Sequence, residues 1–295
     1  MLSNPRGLRG MSSIMTMKSW VTILNSSADI PEVFKDHFYQ REEGFPYTVY
    51  IPANSTLFKK RDEILLSLYD DSLRVLENSK DGVKEINCSF KEISYMENSS
   101  MLMIGRLRIY GGTPLTLTFN TMGDKIFNKI IETIRRNKKY IKNELKQTEE
   151  AKGILDFLKK SNLKYLNSAR EILMDDDKVL NVLFQPEIRK KIEQKRGEKT
   201  ISEYIASHVT ILTSNEIIHI RENKTGTKEA DYGTVSLIIP LGKISNLKIS
   251  KDEEEIHRLI VDVKGTHNLE FFFDIDNKTV DRFIDMCSDF LKRED

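Results

Sequence analysis

Cysteine, charge of one sign and long apolar runs are all scarce in this chain of 295 residues. Its two cysteines, Cys88 and Cys287, lie far apart and form no ligand cluster, which excludes a disulfide framework and a cysteine-built metal site. Such sparse use suits a reducing compartment, so the expected location is cytoplasmic, with peripheral attachment to a membrane as a variant of it. Lys and Arg number 46 against 45 Asp and Glu, a net charge of +1. A dedicated nucleic-acid binder shows a clear basic excess, so no nucleic-acid partner is expected. No run approaches the roughly 18 consecutive apolar residues that a membrane-spanning helix needs. Residues 1–28 carry Arg6, Arg9 and Lys18 but no acid; they read as a flexible tail or as residues ahead of a later start at Met11, Met15 or Met17, with an organelle transit peptide as the alternative.

The motifs of catalysis are missing too. There is no H-E-x-x-H, C-x-x-C, G-x-G-x-x-G or Walker loop. Five histidines are scattered through the chain (His37, His208, His219, His257 and His267). His219 alternates with Ile218 and Ile220 and therefore reads as a solvent-facing strand residue, and His257 as an ordinary residue after an acidic turn. Asp175, Asp176 and Asp177 lack the spaced ligands and the glycine of a calcium loop and read as a solvated turn. No enzyme, cofactor or metal is expected.

What the sequence does contain is a repeat. Leu73 to Asn78 resembles Ile218 to Asn223 at an offset of 145 residues, if the Glu-Asn pairs are matched. Ile93-Ser94 matches Ile244-Ser245 at 151. Leu107 to Gly111 matches Val261 to Gly265 at 154, and Leu115, Leu117 and Phe119 match Leu269, Phe271 and Phe273 at the same offset. The offset grows only within NKTGTKEADYGT and SKDEEE, which are turn-like, and insertions are tolerated in surface turns. The pattern indicates one unit written twice.

Within each unit the same signals recur. ILLSLY and LRVL flank Asp70-Asp71-Ser72; HVTIL and EIIHI flank Thr213-Ser214-Asn215. Alternating strands follow, with Met101 to Tyr110 and Glu255 to Val263 read as long strands ended by Gly111-Gly112 and Gly265. YTVYIP and KVLNVLF are the candidate first strands. The period then changes from 2 to 3.6. Ile126, Phe127, Ile130, Ile131 and Ile134 share one helical face, and so do Val280, Phe283, Ile284, Cys287, Phe290 and Leu291. Residues 135–174 read as helix, interrupted at Gly153 and again at Ser161-Asn162, and their low Gly and Pro content suits a rigid linker. Arg135, Arg136, Lys138 and Lys139 there read as solvated.

LTSNEIIHIREN with LYDDSLRVLEN, IIPLGKISNLKI with its fainter copy FKEISYM, and the final strand followed by one helix together resemble pleckstrin-homology-like domains of the bacterial, GRAM-like group. The resemblance implies an α+β fold. Two PH-like units, each a strongly bent antiparallel sheet or barrel capped by a C-terminal helix, would be joined by a helical linker. The implied boundaries are a tail over 1–30, a first PH-like domain over 31–145, a linker over 146–177 and a second domain over 178–295. The implied function is non-catalytic: a tandem scaffold docking a protein or peptide partner.

The alternative is an anionic membrane surface, because such domains bind lipid head groups through basic residues between the first two strands. The candidate anion-binding residues are Lys59, Lys60 and Arg61 in the first half, and Arg189, Lys190, Lys191, Lys195 and Arg196 in the second. Ile188 and Ile192 stand four apart, so the competing reading of the second cluster is an amphipathic helix with a charged outer face.

Overall fold

The computed structural model describes residues 20–40, 44–55, 60–101, 103–137, 158–160, 162–192, 201–222, 233–251, 256–275 and 277–291. The chain is α+β, built mostly from antiparallel sheets. It divides into two compact units, Met1–Ile93 with Ser100–Lys138, and Ser94–Ser99 with Lys139–Asp295.

The first half runs β1 (Thr22–Leu24), α1 (Glu32–Lys35), β2 (Tyr47–Ile51), β3 (Asn54–Ser55), β4 (Lys60–Arg61), β5 (Glu63–Leu68), β6 (Ser72–Ser79) and β7 (Gly82–Ser89). A 3-10 turn, Phe90–Glu92, leads to β8 (Tyr95–Met101), β9 (Ile104–Tyr110), β10 (Leu115–Asn120) and α2 (Asp124–Arg136).

Five of these strands form a sheet in the order β1-β2-β5-β6-β7. Two-residue turns fix its register. At Asp70-Asp71 the Tyr69 N–H donates to the Ser72 carbonyl at 2.9 Å. At Lys80-Asp81 the strand resumes on Gly82, whose φ of +107° few other residues adopt. Because strand side chains alternate, each face of the sheet has its own lining. Leu65 and Leu76 are buried on one face against Ile30 and Phe34 of the α1 segment. On the other, Val49, Leu66 and Val75 are buried, and Lys129 of α2 lies 4.6 Å from the centroid of the Tyr47 ring.

α2 begins where the period changes. The Asn120 side chain accepts from the Met122 N–H at 2.9 Å, capping the 3-10 turn that leads into it. Phe127, Ile130, Ile131 and Ile134 are buried along its apolar stripe, as their spacing requires. Phe127 stacks on Phe119 of β10 with centroids 3.5 Å apart. Full burial of a side chain like Phe127 contributes about 2–3 kcal/mol. Arg135, expected in solvent, is buried beside Ile134 instead.

The second half runs α3 (Leu163–Ile172), β11 (Val179–Gln185), β12 (Ile188–Ile192), β13 (Ile201–Ile205), β14 (His208–Thr213), β15 (Glu216–Glu222) and β16 (Thr234–Pro240). A 3-10 turn, Leu241–Lys243, then leads to β17 (Ile244–Lys251), β18 (His257–Val263), β19 (Leu269–Phe273) and α4 (Asn277–Leu291). The element order retraces that of the first half: short helix, strand, hairpin, three strands, 3-10 turn, three strands, helix. FKEISYM and LGKISNLKI owe their likeness to that shared turn-then-strand geometry.

β11, β14, β15 and β16 form one sheet of this unit, and β17, β18 and β19 another. α3 covers the outer face of the first sheet through Tyr165, Leu166 and Ala169, which pack with Val209, Ile211, Ile218 and Ile220. Its N-terminus is set by Asn162, whose side chain accepts from the Tyr165 N–H at 3.3 Å. The inner face carries His208 and His219, whose rings meet Phe273 and Phe271 of β19, and Thr210, whose hydroxyl lies 2.8 Å from His219 Nδ1. The strand lying next to β16 is β8 from the first half. Ser94 secures that segment to the second unit, its hydroxyl donating to the Lys264 carbonyl at 2.7 Å.

Several expectations are corrected. His219 and His257 are buried, His219 because both faces of β15 are covered and His257 because it shares the buried face of β18 with Leu259, Val261 and Val263. Met101 to Tyr110 is two strands, broken after Met101. Residues 188–192 form a strand of a hairpin, since a spacing of four fits a period of 2 as well as a helical turn. Among the described residues no sheet closes into a barrel: each sheet order has two ends.

Candidate functional site

An outer edge of a sheet is a row of backbone donors and acceptors awaiting a partner. β7 ends the five-stranded sheet, and among the described residues no strand lies beyond it. The Phe90 N–H donates to the Asp71 carbonyl at 2.9 Å, which fixes the phase of the β6–β7 ladder. Counting back two residues at a time, Cys88, Ile86 and Lys84 exchange hydrogen bonds with β6. The intervening Val83, Glu85 and Asn87 therefore aim their N–H and C=O groups away from the sheet. The equivalent edge in the second unit is that of β16, and there β8 lies alongside. The burial follows suit: β16 is buried along nearly its whole length, whereas Gly82, Lys84, Glu85 and Asn87 of β7 are exposed.

Beside the open edge lies a cleft of about 310 Å³, lined by Tyr39, Tyr69, Ser72, Arg74, Glu85 and Asn87. Glu85 and Asn87 reach it because they are two apart on β7 and share a face with Arg74 of β6. Arg74 donates from Nε to Glu85 Oε1 at 2.9 Å and from Nη2 to Oε2 at 2.7 Å, a two-pronged pair. Nη2 also donates to the His37 carbonyl at 2.9 Å, tying down the segment that follows α1. Asn87 Nδ2 donates to Glu85 Oε1 at 2.7 Å. The far wall is held by Tyr69, whose hydroxyl donates to the Tyr39 carbonyl at 2.7 Å.

The Arg74 hydrogen bond, assisted by that from Asn87, holds the Glu85 carboxyl below its ordinary range, so it stays ionised. The same pairing pushes the Arg74 guanidinium further up. The Arg74 side chain is 15% exposed and that of Glu85 41%, so the charge the cleft presents is the carboxylate. Among the described residues, Arg74 Nη1 is buried without an acceptor.

The residues singled out from sequence lie elsewhere. Lys60 and Arg61 form β4, registered opposite Ser55 and Asn54. Arg189, Lys190 and Lys191 lie in β12, opposite Tyr204, Glu203 and Ser202. Lys59, Lys195 and Arg196 fall outside the described residues. The two basic clusters thus share one place in the element order, the hairpin that follows β2 in the first half and β11 in the second. Among the described residues, no group of three or more His, Cys, Asp or Glu could hold a metal ion, and no helix is long and apolar enough to cross a membrane.

The Arg74–Glu85 pair is not visible as a cluster in the sequence, because its members stand eleven residues apart in the chain. The two-residue turns at Asp70-Asp71 and Lys80-Asp81 were the available signal, since they set Arg74 opposite Asn87 and diagonal to Glu85. No protein-family model matches this chain, and no curated protein matches it.

Proposed function

We propose that this chain is a non-catalytic docking protein that takes an extended peptide segment of a partner protein along β7, and that its two units are pleckstrin-homology-like. The observation that carries the reading is the contrast between equivalent edges: β16 has β8 beside it, and β7 has no strand beyond it among the described residues. Strand addition draws affinity from main-chain hydrogen bonds and specificity from alternate side chains. β7 offers the outward N–H groups of Val83, Glu85 and Asn87 for the first, and the cleft for the second.

Amide hydrogen exchange tests this. In the free protein those three amides exchange fast; a bound partner slows them while leaving the amides of β16 unchanged. A partner whose footprint falls elsewhere removes the reading, as does turnover of a substrate by the purified chain.

A second reading is supported by the matched placement of Lys60 and Arg61 in one hairpin and Arg189, Lys190 and Lys191 in the other. These residues would meet anionic lipid head groups. Vesicle flotation decides it: the reading needs binding to vesicles rich in phosphatidylserine and none to neutral ones.

A further inference from the structure

We infer that the cleft beside β7 selects a basic side chain, Lys or Arg, from an extended peptide laid along that strand. The inference rests on the docking reading above and adds the chemical identity of the residue that is read. An added strand places alternate side chains on the face that Glu85 and Asn87 share, so a residue opposite either one stands over the cleft.

What it meets there is negative and aromatic. The Glu85 carboxylate is the more exposed half of its ion pair. Among the described residues its Oε2 accepts only the Arg74 Nη2 bond, which leaves acceptor capacity for an incoming cation. Tyr39 is 60% exposed at the mouth and lends a ring face to a cation, while Tyr69 forms the buried wall. Asp70 and Asp71 occupy the turn at the Ser72 end. The opposing charge is Arg74, engaged with Glu85 and tied to the His37 carbonyl. An acidic ligand would have to reach the buried Arg74 Nη1 past an ionised carboxylate, so charge favours the cation.

The experiment uses the full chain and fluorescein-labelled seven-residue peptides of alternating Thr and Val with a central Lys, Arg, Gln or Glu. The Lys and Arg peptides are expected to bind about tenfold more tightly than the Gln peptide, and the Glu peptide more weakly still. The preference should shrink in Tyr39→Ala, an exposed position whose loss leaves the core intact, and vanish in Glu85→Gln. The comparison among peptides on the unaltered protein holds even if Glu85→Gln fails to fold.

Equal binding of all four peptides, or preference for Glu, overturns the cleft assignment and leaves docking standing. Failure of all four to bind removes both. Val83→Pro deletes one outward N–H without touching the β6 ladder, so it should abolish binding. Binding of the Lys peptide that survives Val83→Pro shows that the site is not this edge and removes the docking reading itself.

Discussion

The imidazole of His219 lies flat against the ring of Phe271, with centroids 4.1 Å apart and planes 20° from parallel. A histidine so placed is held neutral. Burial above all, with His208 and Arg221 adding like charge, pushes its pKa well below 6.5. Its neighbour His208, 4.8 Å away between ring centroids, is driven down to about 4, again chiefly by burial.

Acid is therefore expected to loosen the second unit. Unfolding lets both histidines take up protons near pH 6.5, whereas in the fold they resist it. The stability is full above about pH 6.5 and is lost as pH falls towards 4. For His208 alone the loss corresponds to about 3 kcal/mol. Urea unfolding at steps between pH 7.5 and 4 measures it, and a His208→Gln variant should show a shallower decline. A midpoint that does not move with pH would contradict the neutral, buried assignment.

Tyr165 carries the contact of α3 with its sheet. Its hydroxyl donates to the Ser207 carbonyl and lies 3.0 Å from the Ser207 hydroxyl, and burial raises its pKa to about 12. Tyr165→Phe leaves the ring in place and removes the bond, so about 1 kcal/mol of stability should be lost. Thermal unfolding followed by circular dichroism reads the difference.

Gly105 admits no side chain. A Cβ there would fall 2.2 Å from Cε2 of Phe119, a buried ring that stacks in turn on Phe127. Gly105→Ala is expected to cost about 1–3 kcal/mol by overpacking. A Gly105→Ala, Phe119→Leu double variant should recover part of it, which a double-mutant cycle in urea would resolve.

Phe34 is fully buried against Leu65 and Leu76. Phe34→Ala is expected to cost about 3–5 kcal/mol. Because α1 leads directly into the segment bearing His37 and Tyr39, the same change should weaken peptide binding at the cleft. Denaturation and peptide titration on one preparation check both effects.

A fragment beginning at Lys139 lacks Ser94–Ser99, the piece of the second unit that lies earlier in the chain. Its β16 edge is left bare, and bare edges pair with copies of themselves. Size-exclusion chromatography should show self-association of the fragment that the full chain does not show.

Much of the strand order was legible in the residues. The turns at Asp70-Asp71 and Ser214-Asn215 are written in turn chemistry, and the change of period into α2 and α4 in the spacing of isoleucine and phenylalanine. His219 was misplaced because alternation tells which residues share a face but not whether that face is covered; its cover, β19, lies some fifty residues on. Ile188 and Ile192 are separated by a distance that helix and strand both satisfy. The cleft was the least legible part, since it gathers residues from β6, β7 and the segment after α1. Register, not composition, brings them together.

Ser94–Ser99 leaves the ribosome well before the unit it completes. Until the rest of that unit is synthesised, these residues wait among neighbours that belong to the other one. Assembly of the second unit is therefore bound to the order of translation. A gene rearrangement that duplicated or moved either half alone would deliver one product with a strand to spare and another with a strand missing.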